Sequence, residues 1–323
     1  MAEKIFENKT ITIQDVAVKP GENKLIKVYI DRLPTGTEIN IPVYVFNGLE
    51  AGPTVLIQGG LHGDELNGTE LIRRMLANDY FQLIKGAAIV IPLLNVFGFI
   101  HFSREVHGKD VNRKFPGNLS GSMASRIAHF HMNEIVPHID FGIDCHTGGD
   151  QRTNYPQIRY TEESAESKML ADVFNAPINF SSSLIQSSFR QATYELDKHI
   201  IVYEGGESLR LDEFAINEGI RGILNVLHHF DMTKDIPDNQ DPDRKSIGLY
   251  NRKWIRAETS GVFRATVTCG IKVEENQVIA SITDTYGESN LIVKASFTGY
   301  ILGLNNFPVV NSGDPLFHIG KEE

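Results

Sequence analysis

The chain has 323 residues, enough to bury a large core in one or two domains. Its apolar share of 41%, charged share of 22%, net charge of -10 and pI near 5.6 suit an ordinary globular protein and argue against non-specific binding to nucleic acid or an anionic membrane. Cys145 and Cys269 lie too far apart in sequence to imply a disulfide framework. The opening MAEKIFENKT has no apolar signal core and no run approaches the roughly 20 residues of a membrane-spanning helix, so the expectation is a cytoplasmic protein.

Residues 1 to 52 read as β-structure, with ITIQDVAV and LIKVYI alternating in strand fashion and INIPVYVFN following the turn-like LPTGTE. TVLIQGG is a continuous apolar run, as expected of a strand covered on both faces. Beyond its glycines stand His62 and Glu65, spaced H-x-x-E, which can reach one divalent ion from a single turn of backbone. The helix LNGTELIRRMLANDYF follows, with Leu66, Leu71, Ile72, Met75 and Leu76 as its apolar stripe, and then the buried strand AAIVIPLLN. The polar segment from Phe97 to Ser120 contains SREVHGKDVNRKFPG, and such loops after buried strands carry function more often than packing.

A helix is predicted over 122–136, a strand at DFGIDCHTGG ending in His146, a helix over 165–176, and a strand at HIIVYEGGE carrying Glu204 and Glu207. LDEFAINEGIRGILNVLHHF closes this part as an amphipathic helix whose last turn holds His228 and His229, where cations favour the dipole. The alternation predicts an α/β fold with a mixed, largely parallel sheet flanked by helices. The boundaries expected are an α/β unit with N-terminal strands over 1–235, a charged linker over about 231–244, and a small all-β barrel or sandwich over 245–323.

Three strand ends thus offer metal-capable or acid–base groups: His62 with Glu65, His146, and Glu204. A catalytic zinc site uses three protein ligands and keeps one position open, and His62, Glu65 and His146 supply two imidazoles and a carboxylate. Asp144 shares a strand face with His146, so Cys145 should point away from it. In the run D-x-N-R, Arg113 suits a bidentate grip on a substrate carboxylate, Asn112 adds a hydrogen bond, and Asp110 can orient a metal-holding histidine. His131 and Glu134 repeat the H-x-x-E spacing inside a predicted helix with no glycine turn before them, and are expected on its surface face.

GGLHGDELNG, KDVNRKFPG, DCHTGG and VYEGGE, in that order, resemble the succinylglutamate desuccinylase/aspartoacylase family, zinc-dependent relatives of the metallocarboxypeptidases. The resemblance covers roughly residues 45 to 230. It implies a zinc-carboxypeptidase-like arrangement with one zinc per subunit on His62, Glu65 and His146, and with Asp110 and Asp144 behind the ligands. It also implies a substrate carboxylate on Asn112 and Arg113, Glu204 activating the zinc-bound water, and Arg104 steadying the scissile carbonyl. Glu204 is favoured over Glu207 as the base because it directly follows the apolar run and matches the family position.

The region from TSGVFRATV to KASFTGYILGL is similar to a lipoyl/biotinyl-like half-barrel, but Lys294 lies in a strand-like run without the Met-Lys-Met pattern, so no swinging arm is expected. The activity implied is hydrolysis of the amide of an N-acyl amino acid or related small carboxylate, with a small N-acylated molecule as partner and family habit favouring a homo-oligomer. The alternatives are a metallocarboxypeptidase acting on peptides and a non-catalytic binding protein on the same scaffold. Substrate-recognising loops are expected at residues 150 to 165 and 180 to 195.

Overall fold

A computed structural model describes residues 9–234 and 244–322. Most of the expected linker, 235–243, and the first eight residues lie outside the described part. The chain opens with a hairpin of β1 (Ile11–Ile13) and β2 (Val16–Val18), followed by the long antiparallel pair β3 (Asn23–Arg32) and β4 (Glu38–Asn47). Then come β5 (Glu50–Gly59), α1 (Leu66–Ala77), β6 (Lys85–Ile91) and α2 (Val96–Ile100). α3 (Met123–Phe130) runs on through a π turn at His131–Ile135 and a 3-10 turn at Val136–His138. The series β7 (Phe141–Gly148), β8 (Arg152–Thr161), α4 (Ala165–Phe174), β9 (Ile178–Ser182), α5 (Phe189–Tyr194), β10 (His199–Glu207) and α6 (Glu213–His229) completes the helical part.

The remaining strands are β11 (Ile247–Arg256), β12 (Gly261–Ala265), β13 (Lys272–Val273), β14 (Val278–Thr283), β15 (Asn290–Lys294), β16 (Gly299–Asn305), β17 (Val309–Val310) and β18 (Pro315–Glu322). One sheet of twelve strands crosses the molecule in the order β13-β16-β18-β11-β9-β8-β10-β7-β5-β6-β4-β3. β6, β5, β7 and β10 are parallel neighbours, whereas β8 runs antiparallel to β10, so the fold is mixed α/β. No helix among the described residues is long and apolar enough to cross a membrane.

Alternation along the central strands makes two cores. Val55 and Ile57 of β5 join Ile143 and Cys145 of β7 and Tyr203 of β10 beneath α1, α4 and α6, while Leu56 and Ile200 face α3 and α5 on the other side. Cys145 therefore points away from His146, as its place in the strand required. Leu71, Ile72 and Met75 bury the stripe of α1, each contributing about 1.5–3 kcal/mol. Ser122, Ser164, Ser188 and Asp212 cap α3, α4, α5 and α6 by accepting from backbone N–H groups that the helices leave unpaired.

The C-terminal strands continue this sheet: β11 pairs parallel with β9, and β16 pairs antiparallel with β8. A second sheet, β15-β14-β12-β17, covers them around Phe263, Ile282, Val293, Ile301, Phe317 and Ile319. Lys294 closes β15 as an exposed residue.

Two expectations need correction. Residues 150–165 and 180–195 are not simply loops, because they contain β8 and α5. His131 is not on a surface face: it is fully buried, and its Nε2 lies 2.6 Å from Gln58 Oε1. Helical spacing cannot say which side of a helix meets a sheet, and here the side carrying His131 meets Gln58 of β5.

Candidate active site

Because β5, β7 and β10 are parallel, their carboxyl ends finish together, and the chain presents its polar groups there. Gln58 pairs in register with Asp144, and His146 with Glu204. After β5 the chain turns through Gly60, whose φ of +60° is one that side chains disfavour. The Glu65 N–H then closes a turn on the His62 carbonyl at 3.3 Å, setting both side chains on one side just before α1.

His62, Glu65 and His146 converge in the interior, each at most 5% exposed. His62 Nδ1 is 2.9 Å from Glu65 Oε1, His146 Nδ1 is 2.7 Å from Glu65 Oε2, and the two Nδ1 atoms are 3.2 Å apart. The opposite ring nitrogens meet carboxylates: His62 Nε2 with Asp110 Oδ1 at 3.2 Å, and His146 Nε2 with Asp144 Oδ2 at 2.8 Å. With the rings neutral, each carboxylate accepting from an Nε2–H would leave the lone pairs on the two facing Nδ1 atoms. Lone pairs turned on each other call for a proton or a cation between them. Ligands about 2.1 Å from a tetrahedral ion stand about 3.4 Å apart, so the spacing suits a divalent metal such as zinc.

Without an ion between the rings, the same carboxylates favour a proton there. Burial disfavours a charged Glu65, yet His62 and His146 outweigh it and hold the carboxyl well below its usual range. Burial likewise opposes a charged His146, but Asp144 and Glu65 raise its pKa well above the usual imidazole value. Asp110 is lowered in spite of burial by His62 and Arg104. Behind Asp144 a buried line continues, with Gln58 Nε2 donating to Asp144 Oδ1 at 2.9 Å and His131 Nε2 meeting Gln58 Oε1.

A cleft of about 520 Å³ opens over these groups. Arg104 spans its wall, with Nη1 donating to Glu65 Oε1 at 2.9 Å and Nη2 to Asp110 Oδ2 at 3.2 Å. Asn112 accepts from the Phe189 N–H at the start of α5, and exposed Arg113 donates to the Asn112 carbonyl; both line the cleft. Glu204 lies in the cleft with both carboxylate oxygens engaged, Oε1 by Arg159 Nη2 at 3.0 Å and Oε2 by Asn154 Nδ2. Glu207 is not among the cleft residues: its Oε2 accepts from Asn306 Nδ2 at 2.9 Å and lies 3.6 Å from Arg210 Nε.

Sequence reasoning missed Asn154, Arg159, Arg190 and Trp254, all in the cleft wall. The first two lie on β8, where Pro156 argues against a strand. The proline is tolerated because the β10 pairing slips there: Gln157 faces Glu204 and Asn154 faces Gly206, so Tyr155 and Pro156 bulge opposite Gly205. Arg190 sits on α5, and burial together with nearby Arg159 pushes its pKa down to about 10. Trp254 reaches in from β11 and stacks on His318 of β18 at 4.8 Å.

Residues 51–230 match the family model described as the succinylglutamate desuccinylase/aspartoacylase catalytic domain, which places the cleft in the class of hydrolytic deacylases. The chain belongs to the succinylglutamate desuccinylase/aspartoacylase family. It is 30% identical over 300 residues to the N-alpha-acetyl-L-2,4-diaminobutyric acid deacetylase of Halomonas elongata, covering 88% of this chain and 86% of that protein.

Solved structures share the fold. The succinylglutamate desuccinylase/aspartoacylase from Rhodobacter sphaeroides superposes with a TM-score of 0.82 at 24% identity, covering 93% of this chain and 96% of that one. The product-bound ectoine utilization protein EutE (DoeB) from Ruegeria pomeroyi gives 0.81 at 22% identity, with 93% and 94% covered.

Proposed function

We propose that this chain is a zinc-dependent deacylase that hydrolyses the amide bond of an N-acyl amino acid or a related small carboxylate. The observation that carries the reading is the convergence of two imidazole Nδ1 atoms and a carboxylate, each imidazole backed by its own aspartate. His62, Glu65 and His146 would hold the metal, with Asp110 and Asp144 fixing the rings. The Halomonas relative, named for removing acetyl from an amino acid, supports an acylated amino acid as the substrate class.

A zinc ion held by these three residues would supply a Lewis acid and would bring the pKa of water toward about 7. Glu204, on the strand beside His146, accepts the proton of the attacking water and hands it to the departing amine. Arg104, 2.9 Å from Glu65 in the cleft wall, would donate to the carbonyl oxygen as it gains charge. Asn112 and Arg113 hold the substrate carboxylate and so orient the amide. The C-terminal strands carry an apolar core of their own while extending the main sheet, and Trp254 of β11 lines the cleft.

Glu204→Gln tests the assignment. The protein should keep one equivalent of zinc by metal analysis while losing hydrolysis of N-acetyl amino acids. Retained turnover sinks the role given to Glu204. Assays of acylated amino acids beside C-terminal dipeptides, with and without a chelator, separate the deacylase from a peptidase and from a binding protein.

A further inference from the structure

The Glu204 carboxylate is held at both oxygens by residues of β8, Arg159 and Asn154. Asn154 sits at a junction of three strands, paired in register with Gly206 of β10 on one side and with Gly303 of β16 on the other. Gly303 leaves almost no room: a Cβ there would stand 3.3 Å from Asn154 Oδ1, 3.2 Å from the His318 Cβ and 3.6 Å from the Trp254 ring. The seam continues past this point. Asn306 Nδ2 reaches Thr153 Oγ1 at 2.7 Å and Glu207 Oε2 at 2.9 Å, and the Asn306 N–H donates to the Gln151 carbonyl at 3.0 Å.

The C-terminal strands are thus fastened to both ends of the Glu204–Glu207 segment, at Asn154 and at Glu207. We propose that β16 braces the base: the pairing of Gly303 with Asn154, with no side chain at Gly303 to crowd the amide, sets Asn154, and Asn154 with Arg159 aims the Glu204 carboxylate into the cleft. Asn154 is a positioning residue here, acting through Glu204, and the inference rests on Glu204 being the base. Glu207, close in sequence to Glu204, belongs to the seam.

Physical chemistry sets the size of the effect. A hydrogen bond to a buried carboxylate stabilises one orientation strongly, and a base aimed only part of the time loses turnover without losing substrate affinity. Asn154→Ala should lower kcat about tenfold to a hundredfold and leave KM within about twofold. In the Glu204→Gln background the same change should alter residual kcat by less than about twofold, because it has no base left to position. A merely structural role would cost the same in both backgrounds.

Gly303→Ala crowds Asn154 from the C-terminal side and should lower kcat in the same way, and that loss should vanish when Asn154 is already Ala. Zinc content and thermal melting are measured for every variant, so loss of fold is recognised separately. If Glu204→Gln keeps wild-type turnover, the base assignment fails and the brace with it. If Glu204→Gln is inactive while Asn154→Ala keeps wild-type kcat, only the brace is overturned. An Asn154→Ala loss that persists undiminished in the Glu204→Gln background also overturns it.

Discussion

Asp144→Asn probes the candidate metal centre from behind, and its cost follows from the direction of each hydrogen bond. Asp144 Oδ2 accepts from His146 Nε2–H at 2.8 Å, and Oδ1 accepts from Gln58 Nε2–H at 2.9 Å. Gln58 cannot simply flip, because its Oε1 already accepts from His131 Nε2 at 2.6 Å. An amide in place of the carboxylate turns an N–H toward one of these donors, so one bond to a charged acceptor is lost inside the protein. Such a bond is worth about 1.5–3 kcal/mol. The loss also removes the negative charge that makes His146 a stronger ligand, and changes behind a metal ligand weaken binding about tenfold to a hundredfold. Zinc affinity is read by competition with a chromogenic chelator, and thermal unfolding in excess chelator isolates any effect on the metal-free fold. Wild-type zinc affinity in the variant would refute the argument, as would a loss confined to the metal-free fold.

Other substitutions test neighbouring parts of the picture. Glu207→Gln should leave turnover within about twofold, because Glu207 serves the Asn306 seam outside the cleft; a kcat loss matching that of Glu204→Gln would exchange their roles. Arg104→Gln should cut kcat about a hundredfold, the usual cost of a donor to the developing oxyanion, and unchanged kcat would remove Arg104 from that role.

Burial lowers the His131 pKa to about 4, although Asp144 pulls the other way. The unfolded chain therefore binds a proton near pH 6.5 that the folded chain refuses until about pH 4, and His131 costs stability as pH falls through that window. In excess chelator, His131→Gln should flatten the fall of unfolding free energy by up to about 1.4 kcal/mol per pH unit, and parallel curves would show His131 to be charged in the fold.

Much of the site could be read locally. The run TVLIQGG followed by H-x-x-E places His62 and Glu65 together within one turn, and strand alternation alone turns Cys145 from His146. The apolar runs of β5, β6, β7 and β10 declare themselves because strands buried on both faces are mostly apolar until the polar groups toward their carboxyl ends. The partners of Glu204 were hidden for a different reason. Asn154 lies 50 residues before it, on a strand whose proline is admissible only because a bulge forms against β10.

The sequence by itself determined the apolar strands β5, β6, β7 and β10 and the helices between them, though not β8, β9 or α5, together with the polar groups at the strand ends and the all-β character of the last stretch. Those features follow from short-range periodicity, glycine turns and charge. Tertiary structure decided which groups face one another. It buried His131 against Gln58, gave Arg159 and Asn154 to Glu204, moved Glu207 to the seam, and ran β11, β18, β16 and β13 into the same sheet as β8. Register across a sheet depends on which distant strands find complementary faces, and no local pattern in either strand specifies the other.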